Sequence, residues 1–263
     1  MSEEDLTLPR ILCLHGGGVN AQVFRLQCRA IIGTHGGKGL APHFRFVFVD
    51  APFICPPHPA IVRVYGEYKP FYRWLRWQDD HEEIDPREAA SQILSQLKGA
   101  MDADAGSGEW VGLLGFSQGA KIAASLLWMQ ERLMKLGKEP LLKGVEWRFG
   151  VLMAGSAPHV MLDPTGDLEI PRHVERADKL SLEFRDWPES NEGEHVVTIP
   201  TLHVHGLQDP GIPRHRRLLE MYCQKGTTRL VEWDGDHRLP IKSQDVEIVV
   251  NKVVEMAWEM GVL

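Results

Sequence analysis

Short, continuous apolar runs that alternate with helical patterns constrain the fold of this chain most strongly. Such runs fit parallel strands that are buried on both faces of a sheet. Strands that alternate with helices indicate a doubly wound, mostly parallel sheet of about six strands, with helices on both faces. The predicted strands are Arg10–Leu14, Phe44–Val49, Trp110–Phe116, Arg148–Ala154, Thr201–His205 and Leu230–Trp233.

Four helical patterns lie between or after these strands. The first begins at Asp85-Pro86-Arg87-Glu88, which combines an N-cap residue, a proline at the first helical position and a glutamate typical of a capping box. This helix is predicted to run to about Met101. The other three predicted helices are Gln118 to Leu136, Pro213 to Cys223 and Ser243 to Met260.

Two long segments interrupt the alternation. Pro52–Ile84 is rich in aromatic residues, and Ser156–Pro200 is acidic and polar. Loops of this length are uncommon in compact domains and are often functional. We interpret both as insertions above the C-terminal edge of the sheet, and the chain of 263 residues as one α/β domain.

Charge and hydropathy narrow the functional classes. The formal net charge of -7 argues against a general nucleic-acid binder, which needs a concentrated basic face. No uninterrupted apolar stretch reaches the ~18 residues of a membrane span. The acidic start Met1–Asp5 lacks the features of a secretory signal. We therefore expect a cytoplasmic protein without a membrane segment, whose four cysteines are reduced.

The strongest catalytic signal is Gly115-Phe116-Ser117-Gln118-Gly119. A serine hydroxyl becomes a nucleophile when it is exposed on a sharp strand-to-helix turn and has a base within reach. A predicted strand ends at this pentapeptide, and a predicted helix follows it. The alternative is a chance match, because three fixed positions are not rare. The context favours Ser117 as a nucleophile.

The loop His15-Gly16-Gly17-Gly18 follows the first predicted strand. A glycine loop at this place supplies one backbone amide of an oxyanion hole, and the residue after the nucleophile supplies the other. This predicts the N–H groups of Gly17 and Gln118 as the oxyanion hole. A simple tight turn would also use glycines. We expect His15 to pack the loop and not to act as a base.

A base and an orienting acid should follow the serine in chain order. Asp209 and His237 each come just after a predicted strand, at the sheet edge that also carries Ser117. Asp234 and Asp236 are rival acids, but both belong to the same loop as His237. We therefore predict Ser117, Asp209 and His237 as the catalytic residues.

Other histidines and one glycine-rich stretch have alternative interpretations. His203 and His205 form a His-x-His pattern without a third metal ligand at a suitable spacing, so we favour a structural role and predict no metal. The stretch Gly33–Lys38 resembles a phosphate loop only weakly, because the spacing is wrong and no strand precedes it. We predict that it ends the first helix, and we predict no cofactor.

Several of these motifs together resemble a known family. The chain is similar over nearly its whole length to the fungal family of serine hydrolases (FSH), of the α/β-hydrolase superfamily. The motifs that carry the resemblance are Leu12-Cys13-Leu14-His15-Gly16, Val49-Asp50-Ala51-Pro52, Leu114 to Ala120, His205-Gly206 with Asp209, and Gly235-Asp236-His237. The triple glycine and the two long segments depart from the simplest family pattern.

The resemblance implies a fold, a reaction and a class of substrate. Within the family the chain is similar to thioesterases and esterases encoded beside fungal polyketide synthases. This implies that it hydrolyses an acyl thioester in secondary metabolism, with the acyl group carried on a synthase carrier domain. Two alternatives stay open: a carboxylesterase for small oxygen esters or lactones, and a non-catalytic acyl-binding protein on a hydrolase scaffold.

Two residue clusters bear on that substrate. Arg214-His215-Arg216-Arg217 could dock an acidic carrier domain, although a solvated helix face is the simpler interpretation. Aromatic residues of the first insertion could line a slot for an acyl chain, or they could pack the insertion onto the core. The aromatic residues of this candidate pocket are Tyr65, Phe71, Tyr72, Trp74 and Trp77.

Overall fold

The helices and strands alternate as predicted in a computed structural model, which describes residues 5–33, 39–180 and 182–263. The strands are β1 (Arg10–Leu14), β2 (Arg45–Val49), β3 (Phe53–Cys55), β4 (Phe71–Arg73), β5 (Trp110–Phe116), β6 (Phe149–Met153), β7 (Val160–Met161), β8 (Glu175–Arg176), β9 (Thr201–Gly206) and β10 (Thr228–Trp233). The helices are α1 (Ala21–Gln27), α2 (Arg29–Ile32), α3 (Pro59–Tyr65), α4 (Pro86–Ala103), α5 (Gln118–Lys135), α6 (Ile212–Met221) and α7 (Ser243–Glu259).

Six of these strands form one parallel sheet in the order β10-β9-β6-β5-β1-β2. They are the six predicted strands, with ends that differ by at most two residues. The strand order reverses between β1 and β5, since β2 lies on one side of β1 and the later strands lie on the other. Open α/β sheets bind ligands at such a switch point, beyond the carboxyl ends of the strands.

Hydrophobic side chains cover both faces of the sheet, which confirms the doubly wound architecture. On β1, Leu12 and Leu14 join one cluster with α4 and α5, whereas Ile11 and Cys13 join the other cluster with α1, α2 and α7. This alternation follows from the two-residue period of a strand. Both faces are buried, which explains why the strand sequences are continuously apolar.

The start of α4 agrees with the sequence. Asp85 is its N-cap, and the carboxylate accepts hydrogen bonds from the backbone N–H groups of Arg87 and Glu88. Pro86 occupies the first helical position, where a missing N–H has no cost. These two residues therefore fix where the helix begins.

The first long segment contains α3 and the antiparallel pair β3–β4. It lies above the carboxyl ends of the central strands, because its backbone bonds the glycine loop after β1. Gly18 donates to the carbonyl of Tyr72 at 2.9 Å and accepts from the N–H of His58 at 2.9 Å. The segment is thus held at the switch point of the sheet.

The second long segment contains the short parallel pair β7–β8 and runs along α5. Four α5 side chains at helical spacing bond it: Lys121, Ser125, Trp128 and Glu131. Their partners, in the same order, are Glu175, Val160, Glu194 and Thr198. One stripe of α5 therefore anchors this segment through polar contacts within an apolar helix face.

Cysteine state and helix hydropathy bear on two further predictions. All four cysteines lie within the described residues, where they are buried and form no disulfide. In the same part of the chain, no helix combines the length and the apolar character that crossing a membrane requires.

A glycine at the start of α5 allows this helix to approach β1. A Cβ on Gly119 would lie 2.0 Å from the carbonyl oxygen of Leu14. The carbonyl group of Leu14 belongs to the backbone of β1, so it cannot move aside without shifting the sheet. The missing side chain therefore sets the distance between the β5–α5 turn and the loop after β1.

Replacing this glycine should destabilise the fold. We expect Gly119→Ala to lower the free energy of unfolding by about 3 kcal/mol or more, because overpacking against backbone cannot relax. The control is Gly99→Ala in α4, where a Cβ meets nothing within 4 Å. That change should raise the free energy of unfolding by about 1 kcal/mol, as helix propensity dictates. Urea unfolding of both variants measures the difference, and equal midpoints would contradict the contact.

Candidate active site

Ser117 stands at the sharp turn between β5 and α5. Its φ of 53° and ψ of -116° lie outside the regions that L-residues normally adopt. Its N–H donates to the carbonyl of Met153 at 2.8 Å, which ties the turn to the end of β6. Such strain persists where the surrounding structure imposes it. Here the turn presents the hydroxyl at the carboxyl end of the sheet.

The structure brings the three predicted catalytic residues together. Nε2 of His237 lies 2.9 Å from Oγ of Ser117, and Nδ1 of His237 lies 2.6 Å from Oδ2 of Asp209. A carboxylate only accepts hydrogen bonds, so Nδ1 carries a proton and Nε2 is free to accept the serine proton. The three side chains come from three strand ends that are distant in sequence.

The Asp209 side chain is almost fully buried and accepts three hydrogen bonds. Oδ1 accepts from the N–H of Gly211 at 2.7 Å, and Oδ2 faces His237 and a further histidine, His215. Burial by itself would raise the pKa of Asp209, but the bonds from His215, His237 and Gly211 outweigh it and hold the pKa far below its usual range. Asp209 is therefore ionised in the folded protein at neutral pH.

The predicted oxyanion amides lie beside this serine. A Cβ on Gly16 would lie 3.5 Å from Cβ of Ser117, which places the glycine loop next to Ser117. Among the hydrogen bonds of the described residues, none uses the N–H of Gly17 or of Gln118. Gln118 is the first residue of α5, where backbone N–H groups have no helical acceptor.

His15 holds the glycine loop in place. It is fully buried, its Nδ1 lies 2.7 Å from the carbonyl oxygen of Gly16, and its Nε2 accepts from the N–H of Ala51 at 3.0 Å. Burial lowers the pKa of His15 to about 4, so the ring is neutral. This agrees with a packing role and links the first and second strand ends.

The side chain of Gln118 has a role that the sequence analysis did not anticipate. Its Oε1 accepts from the N–H groups of Trp74 at 2.7 Å and Leu75 at 3.1 Å, and its Nε2 donates to the carbonyl of Leu75 at 2.9 Å. Gln118, the residue after Ser117, thus fastens the first long segment over the site. The sequence singled out Gln118 only as the residue after Ser117 in the Gly-x-Ser-x-Gly motif. No pattern around it indicated that its side chain would bond the first long segment.

The five aromatic residues of the predicted pocket occupy different environments. Trp77 lies against the glycine loop, since a Cβ on Gly17 would be 2.6 Å from its ring. Trp74 is fully buried and donates its indole N–H to the carbonyl of His15 at 2.8 Å. Phe71 is buried in a small cluster against which Tyr65 packs, and Tyr72 packs against the main core.

In the part of the chain that the structure describes, the rival acids and the pair His203 and His205 make no hydrogen bond to Ser117, His237 or Asp209. Asp236 is exposed and pairs with Arg238, and Asp234 accepts a long bond from Gln208. His203 and His205 are fully buried on one face of β9, and burial lowers their pKa values to about 3 and about 4.

One group of side chains in the described residues has possible metal-ligand atoms within 4.8 Å of one another, namely Asp209, His215 and His237. The hydrogen bonds among these three residues already account for their closeness. The weak phosphate-loop resemblance falls mostly on residues 34–38, which lie outside the described residues, and Gly33 caps α2.

Comparison with known proteins identifies the family. The family model "Serine hydrolase (FSH1)" matches residues 1–249. The chain belongs to this family of serine hydrolases. Among curated relatives of this chain, Esterase pigG of Monascus ruber is 47% identical over 267 residues, which cover 99% of this chain and 96% of that protein. Esterase claE of Penicillium crustosum is 44% identical over 267 residues, which cover 100% and 97%.

Solved structures show the fold of this FSH1 family member to be that of α/β-hydrolases. The Bacillus cereus carboxylesterase matches with a TM-score of 0.51 at 15% identity, covering 97% of this chain and 92% of that one. Zea mays acyl-protein thioesterase 2 matches with a TM-score of 0.53 at 16% identity, covering 95% and 94%. The family and its esterase-named relatives support a hydrolase function.

The clamp made by Gln118 leads to a testable prediction. Gln118→Ala removes three hydrogen bonds and leaves two backbone N–H groups of the first segment without a partner. We expect the free energy of unfolding to fall by about 1–3 kcal/mol. Gln118→Glu is the comparison variant: its carboxylate still accepts both N–H bonds, but its second oxygen faces the carbonyl oxygen of Leu75 in place of the donor. Chemical unfolding should place both variants below wild type; an Ala variant as stable as wild type would contradict the clamp.

Proposed function

We propose that this protein cleaves acyl thioesters or esters through an acyl-Ser117 intermediate. The observation that supports this proposal most is the continuous hydrogen bonding of three side chains. Ser117 Oγ lies 2.9 Å from Nε2 of His237, and Nδ1 of the same ring lies 2.6 Å from Oδ2 of Asp209. A serine, a histidine base and a buried carboxylate in this relation activate a hydroxyl for attack on a carbonyl. The FSH1 family match and the esterase names of the relatives support the same chemistry.

The first half of the reaction makes the acyl-enzyme. Nε2 of His237 takes the proton of Ser117 as Oγ attacks the acyl carbonyl, and Asp209 stabilises the imidazolium. The amides of Gly17 and Gln118 stabilise the oxyanion, which fits their lack of any other hydrogen-bond partner in the described residues. Collapse of the tetrahedral adduct breaks the bond to the leaving group, and His237 returns the proton to the thiolate or alkoxide.

The second half releases the acid. His237 takes a proton from water, which attacks the acyl-Ser117 carbonyl, and then returns the proton to Ser117 Oγ as the free carboxylic acid leaves. Trp77 is the aromatic residue that we place beside the bound acyl group, because its ring packs on Gly17. The other four aromatic residues of the predicted pocket support the segment that carries Trp77.

We further propose a thioester substrate from fungal secondary metabolism, as in the polyketide-associated subgroup that the chain resembles. This choice rests on that resemblance and not on the triad, which serves thioesters and oxygen esters alike. The esterase names of the relatives favour a second candidate, a carboxylesterase for oxygen esters. The two candidates share every residue of the mechanism and differ only in the leaving group.

The basic cluster Arg214–Arg217 bears on docking to a carrier domain. Arg216 bonds Glu232 at 2.9 Å, and the guanidinium of Arg217 lies 4.3 Å from the centre of the Trp187 ring. Two of the three arginines in the basic cluster therefore already have partners within the chain. The proposed reaction requires the thioester but not these contacts.

A matched pair of substrates tests the proposal. We expect kcat/KM for an acyl thioester to exceed that for the ethyl ester of the same acid, after each is divided by its rate with hydroxide. Ser117→Ala is the blank and should lose about 10⁴–10⁶-fold in kcat on both substrates. A preference for the ester would favour the carboxylesterase. Rates no higher than the blank on either substrate would favour a non-catalytic acyl-binding protein.

A further inference from the structure

A second imidazole shares the carboxylate of Asp209. His215, on α6, places Nε2 at 3.0 Å from Oδ2 of Asp209, the same oxygen that faces His237. Its Nδ1 lies 2.9 Å from the carbonyl oxygen of Gly155, just after β6. The residue is buried, with only 3% of its surface exposed. His215 thus bridges the loop that holds Asp209 and the end of the neighbouring strand.

Both neighbours of the His215 ring can only accept hydrogen bonds. A carboxylate oxygen and a backbone carbonyl carry lone pairs and no proton, whereas a neutral imidazole has a single N–H. A neutral ring would therefore point a lone pair at one of the two oxygens, inside a buried site where an unmade bond is costly. An imidazolium has two N–H groups and satisfies both oxygens.

We propose that His215 is a positively charged positioning residue that fixes Asp209 for His237 and limits how readily His237 is protonated. This inference rests on the function proposed for Ser117, His237 and Asp209. The charge of His215 and the charge of Asp209 form a buried ion pair, so His237 meets a carboxylate that is already partly neutralised.

The effect on His237 follows from distance. The ring centres of His215 and His237 are 6.1 Å apart and nearly parallel, at 25°. Two positive charges at this separation repel each other, and more strongly beside the buried Asp209 than in bulk water. His237 therefore keeps its accepting nitrogen free of a proton at lower pH than it would beside Asp209 alone. A base that stays unprotonated remains able to activate Ser117.

Other charged or titratable groups that face these two rings do not change the sign of this effect. Burial lowers the pKa values of His203 and His205 to about 3 and about 4, so both are neutral on β9. The pKa of His58 is also lowered, first by burial and then by the nearby His237, which favours a neutral His58 ring. Glu232 and Arg216, which act on His205, form an ion pair with each other.

The pH dependence of the reaction tests the inference. His215→Gln keeps an N–H donor of similar reach and removes the charge. We expect the acidic limb of kcat/KM against pH to move upward by about one pH unit or more in this variant, because protonated His237 is no longer repelled. A purely structural role would lower kcat and leave the limb in place, and that result would overturn the proposal.

His205→Gln is the matched control. His205 is buried, its ring centre lies 5.6 Å from that of His215, and neither of its ring nitrogens has a partner in the described residues. Because it is neutral and makes no hydrogen bond to Asp209, its replacement should leave the acidic limb unchanged. An equal upward movement in both variants would show that the position of the limb reflects general disturbance of the buried histidines, and would overturn the proposal.

Nuclear magnetic resonance gives a second readout that needs no activity. In protein labelled with ¹⁵N-histidine, the signals missing from His215→Gln identify His215. We expect both of its ring nitrogens to show imidazolium shifts at neutral pH; the separated shifts of a neutral tautomer would overturn the proposal. This measurement reports on His215 even if Ser117→Ala proves as active as wild type, so a failure of the proposed function and a failure of this inference are distinguishable.

Discussion

The close backbone contact between the β5–α5 turn and the end of β1 is the constraint on which the site depends. Gly119 leaves no room for a side chain, since a Cβ there would be 2.0 Å from the carbonyl oxygen of Leu14. This contact sets the glycine loop of β1 beside Ser117 at the point where the strand order reverses. The side chain of Gln118 then fastens the first long segment to the same place through three hydrogen bonds. Ser117, the glycine loop and the first long segment are therefore positioned by one short stretch of chain.

A buried carboxylate completes the site from the other half of the sheet. Asp209 follows β9, and His237 follows β10. In the sheet, β6 lies between these two strands and β5, the strand that ends just before Ser117. Burying a carboxylate is unfavourable unless donors surround it, and here two imidazoles and the N–H of Gly211 do so. The low pKa of Asp209 follows from these bonds and keeps it ionised opposite His237. The hydrogen-bonded contact from Ser117 through His237 to Asp209 thus depends on a polar cluster that the strand ends bring together.

Much of the fold and part of the candidate site were predictable from the sequence. The other contacts were not, for identifiable physical reasons. Strands buried on both faces are continuously apolar, so their number and order along the chain could be predicted, and the glycines around Ser117 indicated the sharp strand-to-helix turn. His215 could not be recognised, because it lies in the basic stretch Arg214–Arg217, which is typical of a solvated helix face. Its inward position follows from helical period, since Leu218 three residues on and Tyr222 seven residues on are also buried. Likewise, nothing in the sequence distinguishes the four α5 residues that bond the second long segment from other helix positions. Their partners are distant in sequence, so the contacts are visible only in the structure.

Covalent labelling of the nucleophile tests the central claim most directly. A fluorophosphonate reacts with a serine hydroxyl only where a neighbouring base and oxyanion donors activate it, and it forms a stable phosphonyl ester with loss of fluoride. Mass spectrometry of the labelled and digested protein should find a single adduct, on the peptide that contains Ser117, and none in Ser117→Ala. Failure of the wild type to react, or undiminished labelling of Ser117→Ala, would contradict the assignment of Ser117, His237 and Asp209 as the reacting group.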